Sequence, residues 1–199
     1  MRVLDDASKL VQFLRSLLSQ IREDYRAHGC DWTKPGFRAV AVHRFGAALK
    51  EPKKRGVLAA KVSWGFYRLM FRYIRNHYGI ELPAETIVGR RLVIGHQSGI
   101  VIHWNSVIGD DCAILQNVTI GAAVDYRILE APTLGNRVKV GCGAALIGRI
   151  VIGDDVIIGP NVTVMTNIPA GTTLCATPPR FIKLPWGNRI RPQASKTAH

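Results

Sequence analysis

TLGNRVKVGCGAALIGRIVIGDDVIIGPNVTV, residues 133–164, decides the fold of this chain. An aliphatic residue opens each group of six, at Leu134, Val140, Leu146, Ile152, Ile158 and Val164, and glycine follows at Gly135, Gly141, Gly153 and Gly159. Four places after each leader stand Val138, Ala144, Ile150, Val156, Val162 and Ile168. A six-residue beat with two inward positions is too long for a half-buried strand of period two, and its glycines do not suit a helix of period 3.6. Each hexad reads as one side of a triangular coil. Three hexads, roughly eighteen residues, close a turn of parallel β-helix with aliphatic ladders stacked inside.

Upstream the beat continues through Val88, Ile94, Ile102, Ile108, Ile114 and Ile120, with two interruptions. Ile94 and Ile102 stand eight apart, so the coil must bulge over Gly95, His96, Gln97, Ser98 and Gly99. Between Ile120 and Leu134 the beat is lost, and Ala122 to Pro132 reads as an excursion from the prism. Bulges and loops on a stiff scaffold are where binding and chemistry concentrate.

The 199 residues are 47% hydrophobic and 21% charged, ordinary for a soluble globule of one or two domains. No run of eighteen apolar residues occurs, and MRVLDDASKL at the start carries two acids where a secretory signal would be basic and then apolar. A cytoplasmic location is expected. Cys30, Cys112, Cys142 and Cys175 form no CxxC or Cys/His cluster, which argues against zinc and against a disulfide framework. Cys112 falls on an inward ladder position. Residues 1–80 hold 16 of the 27 Lys and Arg and 6 of the 14 acids, so they carry +10 of the formal +13. That asymmetry suits an anionic partner or a solvated face, but no nucleic-acid-binding motif accompanies it, and nucleic acid is not expected.

Before the coil the period changes. Leu10, Val11, Phe13, Leu14, Leu17, Leu18 and Ile21 repeat at helical spacing up to a stop near Gly29. Pro35 and Gly36 punctuate the chain ahead of a second helix, Phe37 to Leu49, and 51–56 marks another turn. A third helix is expected over Val57 to Tyr78, with Lys61, Arg68, Arg72 and Arg75 on one face among aromatic residues. Such a helix suits packing on the prism or on a neighbouring subunit, the favoured reading, or peripheral contact with the anionic inner face of the plasma membrane. The expected division is a helical N-terminal domain (1–79), a β-helix domain (80–185) and a tail (186–199).

GFRAVAVHRFGAAL (36–49), YGIELPAETIVGRR (78–91), HQSGIVI (96–102), VIGDDCAILQNVTIG (107–121) and IPAGTTLCATPPRFI (168–182) together resemble the serine acetyltransferase family of hexapeptide acyltransferases, over roughly residues 20 to 183. The resemblance implies a mainly β protein, a left-handed parallel β-helix behind an α-helical N-terminal domain. It also implies a homotrimer, with acetyl-CoA as acetyl donor along the groove between adjacent prisms.

Acetyl transfer from a thioester to an alcohol needs a base to take the hydroxyl proton, and a neutral imidazole suits that role near pH 7. His96 matches the family's catalytic histidine. Glu81, fifteen residues earlier and close to one coil below, matches the acid that would fix its tautomer and stabilise the imidazolium. On the donor side the resemblance transfers backbone contacts to Gly121, Ala122, Cys142, Ala144 and Pro160, and phosphate contacts to Arg180 and Lys183. His103 follows the bulge and could face solvent or the groove. With His96 it leaves a three-histidine zinc site of the carbonic anhydrase type one ligand short, so no metal is expected.

Two departures bear on the acceptor. The family has Asp before the catalytic histidine where this chain has Gly95, and Arg-His-Pro after the loop where it reads Glu130, Ala131 and Pro132. Lost polar partners at such a site weaken discrimination for serine. The chain therefore looks like the colanic acid acetyltransferase branch, and the expected activity is O-acetylation of a sugar hydroxyl in exopolysaccharide or capsule assembly by direct attack on the thioester. Asp125, Tyr126 and Arg127 would contact the saccharide, and Asp31 is either an acceptor-site acid or a helix cap. Serine O-acetylation for cysteine synthesis is the first alternative, and a non-catalytic trimeric scaffold the second.

Overall fold

The computed structural model describes residues 2–50, 57–123 and 130–178. Three helices, α1 (Arg2–Ala27), α2 (Pro35–Lys50) and α3 (Val57–Tyr78), precede the coil. The first ends where Gly29 and Cys30 turn left-handed, φ 75 and 58°, and the Cys30 N–H closes on the Tyr25 carbonyl at 3.0 Å. The second begins two residues earlier than its spacing suggests. Pro35 stands inside the first turn, where its fixed φ suits the helix and its missing N–H would have had no partner. The third has the expected bounds. Its basic residues are exposed, and so are Val62, Phe66, Leu69 and Tyr73.

Among the described residues fourteen short strands then wind around three parallel sheets, in rotation up to β13. One sheet holds β1 (Ile80–Glu81), β4 (Ile100–Ile102), β7 (Thr119–Gly121), β10 (Ala145–Ile147) and β13 (Thr163–Val164). The next holds β2 (Ile87–Val88), β5 (Val107–Ile108), β8 (Thr133–Leu134) and β11 (Val151–Ile152). The last holds β3 (Val93–Ile94), β6 (Ala113–Ile114), β9 (Lys139–Val140), β12 (Ile157–Ile158) and β14 (Thr173–Leu174). An isolated parallel bridge from Ile152 to Ile168 adds the last rung of the second sheet. The result is a three-sided parallel β-helix with a helical region before it.

Its interior is the aliphatic ladder. Ile94, Ile102, Ile108, Ile114, Ile120, Leu134, Leu146, Ile152 and Ile158 are buried, and Cys112, Val118, Val138, Ala144 and Val156 fill the alternate rungs. Burying a side chain of this size is worth about 1.5–3 kcal/mol, so the ladder dominates the stability of the coil. At one corner, bidentate pairs Arg91–Asp111 and Arg137–Asp155 run between successive turns, and Glu23 of α1 joins them through Arg90.

The second helix lies against the coil because small residues let it. A Cβ at Gly36 would run into the Ile94 carbonyl, and one at Gly46 would meet the Tyr67 ring. Beside them, Arg44 pairs with the buried Asp24 of α1 at 2.8 Å and donates to the carbonyls of Val88 and Gly89. His43 donates from Nδ1 to the Pro83 carbonyl at 2.9 Å. Tyr67 of α3 accepts the Ala84 N–H, and burial pushes its phenol up to about 12.

Candidate active site

The register shows where the coil departs from its period. Val101 pairs with Thr119 and Ala145 with Thr163, steps of 18, whereas Ile80 pairs with Ile100, a step of 20. The surplus is the bulge after β3. His96 and Ser98 are left-handed at φ 65 and 89°, and Gly99 at 67°. A Cβ on Gly99 would also collide with the Asn117 amide, so no other residue fits there. Neighbouring backbone pins the bulge. Gly95 N–H donates to Ile114 at 2.9 Å, Ser98 N–H to Tyr78 at 2.9 Å, and Asn117 N–H to Ser98 at 3.0 Å.

These bonds hold the His96 side chain exposed, without a hydrogen-bond partner among the described residues, on the wall of a cavity of about 660 Å³. Opposite it are His28, Lys34 and Gly36 from the α1–α2 junction, and Gln97 and Gln116 complete the polar lining. His28 is buried and its ring is fixed at both nitrogens. Nδ1 lies 2.7 Å from the Asp24 carbonyl, which only accepts, so Nδ1 carries the proton and Nε2 accepts the Ile94 N–H at 3.2 Å. Burial, the largest cause, holds its pKa below the ordinary histidine value and keeps it neutral.

Glu81 faces outward from β1, half-buried, in the column that continues through Val101, Thr119, Ala145 and Thr163. It stands on the rung beneath the strand that follows the bulge, but the Glu81 and His96 side chains do not hydrogen-bond to one another. Asp31 is not on the cavity wall. Its Oδ1 accepts the Thr33 N–H at 2.8 Å and the Thr33 hydroxyl at 2.5 Å, so it organises the turn ahead of α2 without bonding an N–H of the helix. Those bonds, chiefly, hold its carboxyl below the usual range. His103 accepts the Asn105 N–H through Nδ1 at 3.2 Å and lies beside the Trp104 ring.

The donor-side residues divide. Gly121 ends β7 and Ala122 follows it at the corner, while Cys142 and Pro160 lie on successive turns of the His96 corner. A Cβ on Gly121 would meet only ordinary van der Waals neighbours, the nearest at 3.6 Å, so nothing among the described residues requires glycine there. Ala144 points into the core, where its N–H donates to the Gly141 carbonyl and its own carbonyl accepts the Thr119 N–H, and it presents no side chain to a ligand. Asp125, Tyr126, Arg127, Arg180 and Lys183 lie outside the described residues. Among the described residues no group of three His, Cys, Asp or Glu could hold a metal, and no helix is long and apolar enough to cross a membrane.

Known proteins share this architecture. The bacterial transferase hexapeptide (six repeats) family matches residues 131–165. A serine acetyltransferase isoform from Entamoeba histolytica, solved with cysteine, superposes with a TM-score of 0.69 at 24% identity, over 88% of this chain and 64% of that one, a likeness of fold. The serine acetyltransferase of Synechococcus elongatus is 32% identical over 148 residues, 74% of this chain and 57% of that protein. The serine acetyltransferase of Helicobacter pylori is 39% identical over 139 residues, 70% of this chain and 76% of its own length. The chain belongs to the serine acetyltransferase family of hexapeptide transferases. It is an acetyl-CoA-dependent acyltransferase.

Membership of the serine acetyltransferase family corrects the expected acceptor. The saccharide reading and the colanic acid branch rested on Gly95 and on Glu130, Ala131 and Pro132. The relatives at 39% and 32% identity carry the serine name, and that likeness over most of the chain outweighs a few local departures. The second departure also has a structural use. Glu130 pairs with Arg149 at 3.1 Å, and the Pro132 carbonyl accepts the Val107 N–H, so the tripeptide leads the chain back into the second sheet. The sequence did not point to three polar residues of the cavity wall, His28, Lys34 and Gln116, nor to His43, which sits apart from the bulge against Pro83. Their signal was polar character inside or beside apolar patterns; the bonds of His28 to Ile94 and of His43 to Pro83 span 66 and 40 residues, which no local pattern reports.

Proposed function

We propose that this protein is a serine O-acetyltransferase, moving the acetyl group of acetyl-CoA to the hydroxyl of L-serine on the way to cysteine. The observation that carries the reading is His96, an imidazole with no hydrogen-bond partner among the described residues, held over a cavity by a pinned bulge, in a chain whose relatives bear that name.

A serine hydroxyl is a weak nucleophile until its proton has somewhere to go. His96 receives that proton as the oxygen bonds to the acetyl carbon and the carbon–sulfur bond breaks, and it then returns the proton to the departing thiolate. Glu81 is the group proposed to hold the other ring nitrogen, a contact that catalytic pairs commonly close only with substrate bound. The donor fits the surface left open at Gly121, with Ala122 beside it and Cys142 and Pro160 at the neighbouring corner. A left-handed coil and a homotrimer with the donor between adjacent prisms complete the proposal.

The test is direct. Purified protein is given acetyl-CoA and L-serine, thiol release is followed, and the product is identified by mass spectrometry. O-acetylserine formed at a rate that saturates with serine is expected. Thiol release that serine does not accelerate would refute the reading.

A further inference from the structure

Lys34 and Gln116 face the His96 cavity without a part in the proton transfer. Lys34 stands at the entry to α2, and its Nζ donates to the His28 carbonyl at 2.7 Å. An ammonium has three donors, so two remain for a ligand. Among the described residues no Asp or Glu lines this wall and His28 is neutral there, so the fixed charge they bring to it is that of Lys34. Asp31 faces Lys34 from outside the cavity, tied to Thr33.

Gln116 is the complementary case. Its Oε1 is buried and has no hydrogen-bond partner among the described residues. Such an oxygen destabilises the protein until a donor reaches it. It stands at the His96 corner one turn up, beside Asn117, whose N–H holds the Ser98 carbonyl of the bulge. Lys34 on the helical side, Gln116 on the coil side and the base thus line one cavity.

We infer that Lys34 and Gln116 bind the two ends of the amino-acid acceptor, Lys34 Nζ taking its carboxylate and Gln116 Oε1 an N–H of its ammonium. The inference rests on the serine reading above. It answers the two sequence departures, since Gly95 and Ala131 bring no charge to the acceptor. Selectivity follows, because an acceptor lacking either end leaves a polar group of the site unpaired.

Steady-state kinetics with three acceptors test this: L-serine, its methyl ester, which lacks the carboxylate, and 3-hydroxypropanoate, which lacks the ammonium. Lys34→Gln keeps a donor for the His28 carbonyl but drops the charge. It is expected to raise the KM for serine by about tenfold or more and to narrow the preference for serine over the ester, with the acetyl-CoA KM unchanged. Lys34→Arg should restore most of the preference. Gln116→Leu should narrow the preference over 3-hydroxypropanoate instead. Wild-type turnover of serine, with both preferences intact in folded Lys34→Gln and Gln116→Leu, overturns the inference and leaves the function standing. Failure of the wild type to acetylate serine overturns both.

Discussion

His96 occupies backbone space that residues other than glycine avoid, φ 65°, and holding it there costs about 1–2 kcal/mol. The hydrogen bonds of Gly95, Ser98 and Asn117 offset that cost and fix where the imidazole stands. His96→Ala removes the base and leaves the bulge, so kcat should fall by about 10²-fold or more while acetyl-CoA still binds. Kinetics beside a calorimetric titration of acetyl-CoA measure both; near-normal turnover at saturating serine would remove His96 from the mechanism. This residue was legible because it sits in a broken period. Lys34 and Gln116 were not, since each acquires meaning only from what the fold places across the cavity. Asp31 stood open in the sequence between an acceptor-site acid and a helix cap, and in the fold it bonds Thr33 in the turn before α2.

At the scale of elements, α2 is the joint between the helices and the coil that carries the bulge. Its contact is polar as well as tight, through His43 to Pro83 and Arg44 to Asp24, Val88 and Gly89. Burial, then the charge of Arg44, pushes the His43 pKa down to about 4, with Lys50 adding to the effect. Because the folded value lies below the unfolded one, near 6.5, this group's stabilisation is full above pH 6.5 and is lost as pH falls toward 4. The loss is on the order of 3 kcal/mol. Urea midpoints measured from pH 7 to pH 4 should therefore drop less steeply in His43→Gln, which can donate to Pro83 without titrating. Identical slopes in the two proteins would show that His43 does not couple the helices to acid. The helix itself was legible from its apolar spacing. Its first turn was not, because Pro35 and Gly36 read as breakers until the approach of Ile94 shows why glycine stands there.

The molecule as a whole is a ladder that satisfies its inner face and leaves an outer one open. Inward rungs were legible almost residue by residue, since a six-residue period admits few other solutions. Outward positions carry no such period, and assembly could be expected only from resemblance. The structure adds a physical motive. Along the second sheet the outward column runs Ile87, Val107, Thr133 and Val151, with Ile87 and Val151 more than half exposed at 64% and 54%. A column of β-branched residues on a flat parallel face is an uncovered apolar surface within one protomer. Three prisms packed around an axis would cover it and bring two chains together along each groove, as the proposed donor site requires. Light scattering should report three times the 21.9 kDa protomer. The double change Ile87→Glu and Val151→Glu adds charge to the column without touching the core, and should yield monomers that keep their circular dichroism but lose acetyl transfer. An active monomer, or a trimer indifferent to both charges, would move the interface and the shared groove off this face.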